Sequence, residues 1–429
     1  MQIPFERFTL DNGLRVVLSE DHTNAVVAVN LWYNVGSRNE AAGRTGLAHL
    51  FEHMMFQGSQ NVPDTQHIAY VERAGGSVNG STWLDRTNYY ETLPAHQLEL
   101  ALWLESDRMG FFLPALTQQK LDNQRDVVKN ERRERVDNQP YGDWDERLQA
   151  LVFPPDHPYH HSVIGSMADL DAASLDDVRD FFRTFYAPNN AVLTVVGDFD
   201  AAEARRLVER YFGPIPRGPA LPPLPGRPEL EPFALGREVR ETVEGTFALS
   251  RVYVGFRVPP VGTDDFYAVD MLTEVLSAGK SSRLYRDLVR DRRVARGAAA
   301  FTFPVSTGAA LLVLRGISPP GGDVAQLEAA LLDEVAALAA EGPTPAEMER
   351  AMTGVEVRNL LDLQRVAERA DRLSMLTTTF DDPGRINTEL ARYRAVTPDD
   401  VRRVAARYLA ADNRAVLTYV PRAAAAVAA

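Results

Sequence analysis

The segment His49-Leu50-Phe51-Glu52-His53 sets two imidazoles and a carboxylate side by side in a chain that has only 8 histidines. On a helix, His49 and His53 stand one turn apart on the same face, with Glu52 beside them. Two imidazoles so placed bind one metal ion, and the carboxylate lies next to the position left open. Zinc in such a site polarises a carbonyl and lowers the pKa of a bound water toward neutrality, while the neighbouring Glu takes the water proton and passes it to a leaving amine. The chemistry predicted is metal-assisted hydrolysis with Glu52 as general base and acid. A surface helix carrying this pattern by accident would occur in roughly one sequence in a hundred of this composition.

A catalytic zinc wants a third protein ligand. The helical pattern from Gln118 to Val136 offers Asp126, Glu131 and Glu134, and spacing alone does not choose among them. Cysteine is absent, so every transition-metal ligand must be His or carboxylate. His157, His160 and His161 form a second cluster, but the prolines at 154, 155 and 158 point to an exposed loop without helical ligand geometry. His67 and His96 read as surface residues.

These side chains need a scaffold. The 429 residues, 45% of them hydrophobic, suit two domains. Prolines crowd the stretch from Gly213 to Pro232, which can sustain neither helix nor inner strand. The expected division is a catalytic domain over 1–215, a linker over 216–232 and a second domain over 233–429. The two halves also end alike. Ser174-Leu175-Asp176-Asp177 and Thr397-Pro398-Asp399-Asp400 each open a helix that precedes a β-rich run beginning at Asn190 and Asn413. This is a duplicated domain.

Strands are predicted at Phe8 to Leu18, turning at Asp11-Asn12-Gly13, at Ala25 to Tyr33, near Ala248 to Phe256 and, as two strands with a turn, across Val294 to Leu314. Helices are predicted near 45–57, 65–73, 95–108, 118–136, 175–186, 264–276, 323–340 and 345–372. The fold class is α+β: two homologous α/β-layer domains, each a largely antiparallel sheet with helices packed on one face. No run reads as a membrane span, and the Ala423 to Ala429 tail reads as frayed. The net charge of −13 disfavours nucleic acid as a partner. The first residues lack the basic and apolar regions of a secretory signal, so the expected compartment is cytoplasmic, or periplasmic or secreted if a leader is removed.

The stretch Val35-Gly36-Ser37-Arg38-Asn39-Glu40, followed by Gly46-Leu47-Ala48 and His49 through Ser59, closely resembles the pitrilysin/insulinase family of inverted zinc-motif peptidases. The likeness continues in Gly75 to Gly80, Arg125 to Glu131, His157-Pro158-Tyr159, Ile164-Gly165 and the duplicated terminal strands. It implies a zinc-dependent endopeptidase with one Zn2+ per chain. The family's third ligand is a Glu about 75 residues beyond the second His. Glu131 matches, with 77 residues between it and His53. An acid seven positions before that ligand is usual in the family; here Gln124 takes the place, an amide that bonds but carries no charge.

The resemblance further implies that an extended peptide substrate adds as a strand along Gly76, Ser77, Val78 and Asn79. Family members enclose substrate between two such two-domain halves. The far half supplies an Arg and a Tyr seven residues later. Arg290 matches the first, but Gly297 stands where the Tyr belongs and donates no phenolic hydrogen bond. The expected partner is therefore a related subunit without the zinc motif, in a heterodimer, with a homodimer as the alternative.

Overall fold

The computed structural model describes residues 2–226 and 235–422. The end of the expected linker, 227–232, and the 423–429 tail lie outside them. The first sheet comprises β1 (Glu6–Thr9), β2 (Arg15–Glu20), β3 (Val26–Tyr33), β4 (Ser77–Thr82), β5 (Thr87–Pro94) and β6 (Ala191–Gly197), in the order β1-β2-β6-β3-β5-β4. Only β2 and β6 pair in parallel. The turn between β1 and β2 needs Gly13, whose φ of 91° disfavours any side chain.

Period-two alternation decides what covers this sheet. Val16, Leu18, Val29, Leu31 and Val195 point into a core shared with α1 (Leu47–Met54), α2 (Gln66–Arg73), α3 (Leu98–Phe111), α4 (Gln118–Arg132), α6 (Met167–Ala172), α7 (Leu175–Phe185) and α8 (Ala201–Phe212). Their neighbours Val17, Ala28, Trp32, Val192 and Val196 point the other way, onto Ala370, Leu373 and Leu376 of α12 (Val366–Phe380). Helices therefore lie on one face as expected, and a single later helix closes the opposite face.

The second sheet repeats the plan. It holds β7 (Val239–Gly245), β8 (Arg251–Val258), β9 (Gly297–Phe303), β10 (Ala310–Ile317) and β11 (Arg414–Pro421), ordered β7-β11-β8-β10-β9, with β7 and β11 the one parallel pair. Its helices are α5 (Trp144–Val152), α9 (Asp264–Ser277), α10 (Val324–Glu341), the body of α11 (Pro345–Gln364), α13 (Glu389–Ala395) and α14 (Pro398–Tyr408). The repeated ends are built alike. Capping boxes at Ser174/Asp177 and Thr397/Asp400 start α7 and α14. Asn190 donates to Phe185 O, and Asn413 to Tyr408 O.

The compact units are not the contiguous stretches expected. One comprises 1–132, 161–225 and 359–389, the other 133–160, 226–358 and 390–429. So α5, encoded in the first half, belongs to the second sheet. Trp144 stacks on Tyr253 at 4.7 Å, Tyr419 donates to Asp143 Oδ1 at 2.7 Å, and Arg257 donates to Val152 O. In exchange, α12 belongs to the first. Ser174 and Thr397 are 223 positions apart, and the same offset carries 144–152 to 367–375, inside α12. The duplicated halves thus swap equivalent helices.

Two further departures have local causes. The single helix expected over 345–372 breaks at Arg365, where Arg369 turns back and donates through Nε and NH2 to Leu363 O, satisfying a carbonyl that the break frees. α8 was not among the expected helices, although Asp200, which accepts from Glu203 N–H, marks its start. No helix among the described residues is long and apolar enough to cross a membrane.

Leu373→Ala should destabilise the first unit by about 2–5 kcal/mol by opening a cavity under α12. Chemical denaturation measures this; a loss of less than half a kcal/mol, roughly that of a surface change, would show that α12 is not part of that core.

Candidate metal centre

The helix α1 carries the first three candidates and is held at both its start and its inner face. Gly46 at the N-terminus has φ 86°, and a Cβ there would meet Ile164 O at 2.7 Å. The free N–H groups of the first turn are met by a carboxylate from outside the helix. Glu40, fully buried in its side chain, accepts from Gly46 N–H at 2.9 Å and Ala48 N–H at 2.7 Å. His161 Nε2 lies 2.9 Å from the same carboxylate. Burial raises the Glu40 pKa, against the pull of His161; burial also opposes charge on His161, but Glu40 outweighs it and raises that pKa.

Leu47, Ala48, Leu50, Phe51 and Met54 face the core, with the Phe51 ring 4.0 Å from that of Tyr186. This leaves His49, Glu52 and His53 on the opposite, partly open side. Against them runs α4. Glu131 Oε2 lies 3.7 Å from His49 Nε2 and 3.3 Å from His53 Nε2, and the two imidazoles stand 4.8 Å apart at 84°. Atoms bonded at 2.0–2.1 Å to a tetrahedral centre are separated by about 3.3–3.5 Å, so this His2Glu set fits zinc and leaves a fourth position. Asp126 and Glu134 are exposed and do not join the set. Gln124 lies two turns before Glu131 and is half-buried.

The Glu52 carboxylate sits where β4 crosses α1. Its Oε2 accepts from Thr82 Oγ1 at 2.5 Å. Burial raises the Glu52 pKa, the Thr82 bond and His53 lower it, Glu131 raises it, and Arg86 lowers it. The close crossing depends on Gly80: a Cβ there would stand 3.1 Å from Phe56 and Tyr89 and 3.3 Å from Glu52 Cγ. Neither Thr82 nor Glu40 was singled out by spacing, because each meets α1 through tertiary structure alone.

β4 is an edge strand of its sheet, bonded among the described residues only to β5. Ser77 and Asn79 are exposed, Val78 is half-buried, and Asn79 Oδ1 accepts from Gly80 N–H at 2.9 Å. Gly76 has a packing role of its own, since a Cβ would meet Leu93 Cγ at 2.7 Å. In the second unit, Arg290 is exposed and paired with Asp291 at 2.7 Å. Gly297 opens β9, the counterpart of β4, and an added Cβ would meet only Ile317 Cδ1, at 3.8 Å. Packing there does not demand glycine.

The remaining histidines depart from expectation in part. The 157–161 segment is not an exposed loop. His157 is buried and stacks on Phe153 at 4.8 Å, His160 Nδ1 contacts Phe153 O at 2.7 Å, and His161 serves Glu40. The imidazoles are committed in different directions and form no metal group among the described residues. His96 is exposed as expected, but His67 is only 3% exposed. Its apolar helix face, with Val71 one turn on, carries it inward.

Residues 15–152 match the family described as Insulinase (Peptidase family M16), and 172–355 match Peptidase M16 inactive domain. The chain is 31% identical over 383 residues to Zinc protease PqqE of Helicobacter pylori, covering 88% of this chain and 82% of that protein. Its fold superposes on the crystal structure of a protease from Helicobacter pylori with a TM-score of 0.92 at 27% identity, over 98% of this chain and 100% of that one. The periplasmic protease PqqL from Escherichia coli shares the fold at 20% identity and TM-score 0.77; the match takes in 98% of this chain but 48% of PqqL. With its two halves in the order of the two M16 regions and a relative this similar over most of both lengths, the chain belongs to the insulinase (M16) peptidase family.

Proposed function

We propose that this chain is a zinc-dependent endopeptidase that hydrolyses unfolded peptides or small polypeptides. The observation that carries the reading is the convergence of His49, His53 and Glu131 on one point, with the Glu52 carboxylate adjoining it. His49, His53 and Glu131 would hold one zinc, which when bound supplies a polarised carbonyl and a water of lowered pKa. Glu52 takes the proton of the attacking water at a carboxylate oxygen and delivers it to the leaving amine. Thr82 holds one oxygen of Glu52 in place, leaving the other for that transfer.

The open edge of β4 suits an extended substrate, which would add as a further antiparallel or parallel strand through backbone hydrogen bonds. Ser77, Val78 and Asn79 would line it, and affinity drawn from backbone groups favours broad specificity. A second reading, a non-catalytic structural or peptide-binding subunit, draws on the M16 inactive-domain match. That match begins at 172, after His49, Glu52, His53 and Glu131, all of which lie within the insulinase match.

Since the chain covers 48% of PqqL, it corresponds to one half of that longer relative. With Gly297 in place of an aromatic donor, we assign the chain to a heterodimer with a related subunit that carries the missing group; a homodimer is the alternative. Peptide assays of the purified chain, alone and with such a subunit, distinguish them. Activity should rise at least tenfold on mixing, and full activity alone would overturn the heterodimer.

Glu52→Gln should keep zinc and lose peptide hydrolysis by about a thousandfold or more. Unchanged turnover in that variant would refute the mechanism. Thr82→Val removes a hydrogen bond that stabilises the Glu52 carboxylate, so the Glu52 pKa should rise and the acidic limb of kcat/KM should move to higher pH. A limb that stays in place or moves to lower pH contradicts the assigned role of Thr82.

A further inference from the structure

A second group of polar side chains, sharing no residue with the first, is sealed in the core of the first unit. His67 on α2, Glu91 on β5 and Glu105 on α3 are 3%, 1% and 0% exposed, and their ligand atoms lie within 4.8 Å of one another. His67 Nε2 stands 4.0 Å from Glu91 Oε2 and 3.9 Å from Glu105 Oε1. Arg108 is paired with Glu105 Oε1 and covers the Tyr89 ring at 4.0 Å. Among the described residues, His67 Nε2, both oxygens of Glu91 and Glu105 Oε2 have no hydrogen-bond partner, and neither do Nε and Nη1 of Arg108. Ionised carboxylates buried in this condition are among the most costly features a fold can carry.

Three things could satisfy such a group. A proton on Glu91 removes its charge, and burial does push that pKa well up. The new O–H, however, faces His67 Nε2 across 4.0 Å, too far for a hydrogen bond, and Glu105 Oε2 stays bare. A single water can donate only two hydrogens to the three bare carboxylate oxygens. A cation serves His67 Nε2, Glu91 and Glu105 Oε2 at once, and on binding would displace the proton that burial favours on Glu91.

We propose that His67, Glu91 and Glu105 form a second, structural metal site that ties α2, α3 and β5 together. One imidazole and two carboxylates suit a first-row transition ion; calcium and magnesium take oxygen ligands. Arg108, holding the other oxygen of Glu105, orients that ligand. The 4.0 Å between His67 Nε2 and Glu91 Oε2 exceeds the 3.3 and 3.7 Å found between His49, His53 and Glu131, so the cage tightens by a few tenths of an ångström on binding. Closed to solvent, it takes its ion as the unit folds and releases it slowly.

The test is metal content of the tag-free full chain by mass spectrometry, summing zinc, manganese, iron and cobalt, with His49→Ala/His53→Ala used to empty the first centre. Two ions per chain are expected in the unsubstituted protein, one in the double variant, and none once Glu91→Gln is added. The ion left in the double variant should resist a chelator under native conditions, and its X-ray absorption should show one imidazole among oxygen ligands. No ion in the double variant, or an ion with no imidazole, overturns the proposal. Should the Glu91→Gln protein not fold, the double variant decides alone.

Discussion

The N–H groups at the start of α1 find their acceptor outside the helix, in the buried carboxylate of Glu40, and the register of the metal centre follows from that contact. A short helix has little stability of its own. This one is clamped at its first turn by Glu40 and along its inner stripe by Leu50, Phe51 and Met54. With rotation and translation both taken away, His49 and His53 have one direction left to face, toward α4. Glu131 meets them there because Leu121 and Val128, on the adjoining stripe of α4, anchor that helix in the core. The polar centre is therefore positioned by apolar surfaces, and by one buried acid that His161 also contacts.

The duplication has a second consequence. Each sheet has two apolar faces, and the helices adjacent in sequence cover only one. The remaining face is closed by α12 in one unit and by α5 in the other, equivalent elements exchanged between the repeats. Burying Leu373 or stacking Trp144 on Tyr253 therefore makes each unit's folding depend on chain from the other repeat. Arg369 sits at this exchange, satisfying Leu363 O where α11 gives way to α12 and pairing with Asp21 at 2.8 Å.

What the sequence made legible was whatever is local. The His49 to His53 spacing, the capping residues Ser174 and Thr397, the Asp11-Asn12-Gly13 turn and the two strands around Ser306 depend on near neighbours, and each of these elements stands in the structure. Glu131 stood out from Asp126 and Glu134 only through family likeness, since the choice depends on how α4 rolls against α1. Glu40, Thr82 and the exchange of α5 with α12 come from contacts far apart in sequence. His67 departs from expectation for a related reason: a polar residue on an amphipathic helix reads as exposed unless the charged groups waiting inside are known.

On the proposed reading, the strand β4 would couple recognition to chemistry. Its Thr82 bonds Glu52, its Gly80 lets α1 approach, and its outer edge offers the backbone groups to which a peptide would bind. An edge strand paired on one side only is less constrained than one paired on both, and its movement would be transmitted to Glu52 through a single 2.5 Å hydrogen bond. A peptide that added to the edge would pair β4 on both sides and fix Thr82, and with it the Glu52 carboxylate. Binding along the strand and alignment of the base would then be one event. A substrate too short to span β4 would forfeit turnover as well as affinity, because part of the energy of backbone pairing would be used to orient the proposed general base.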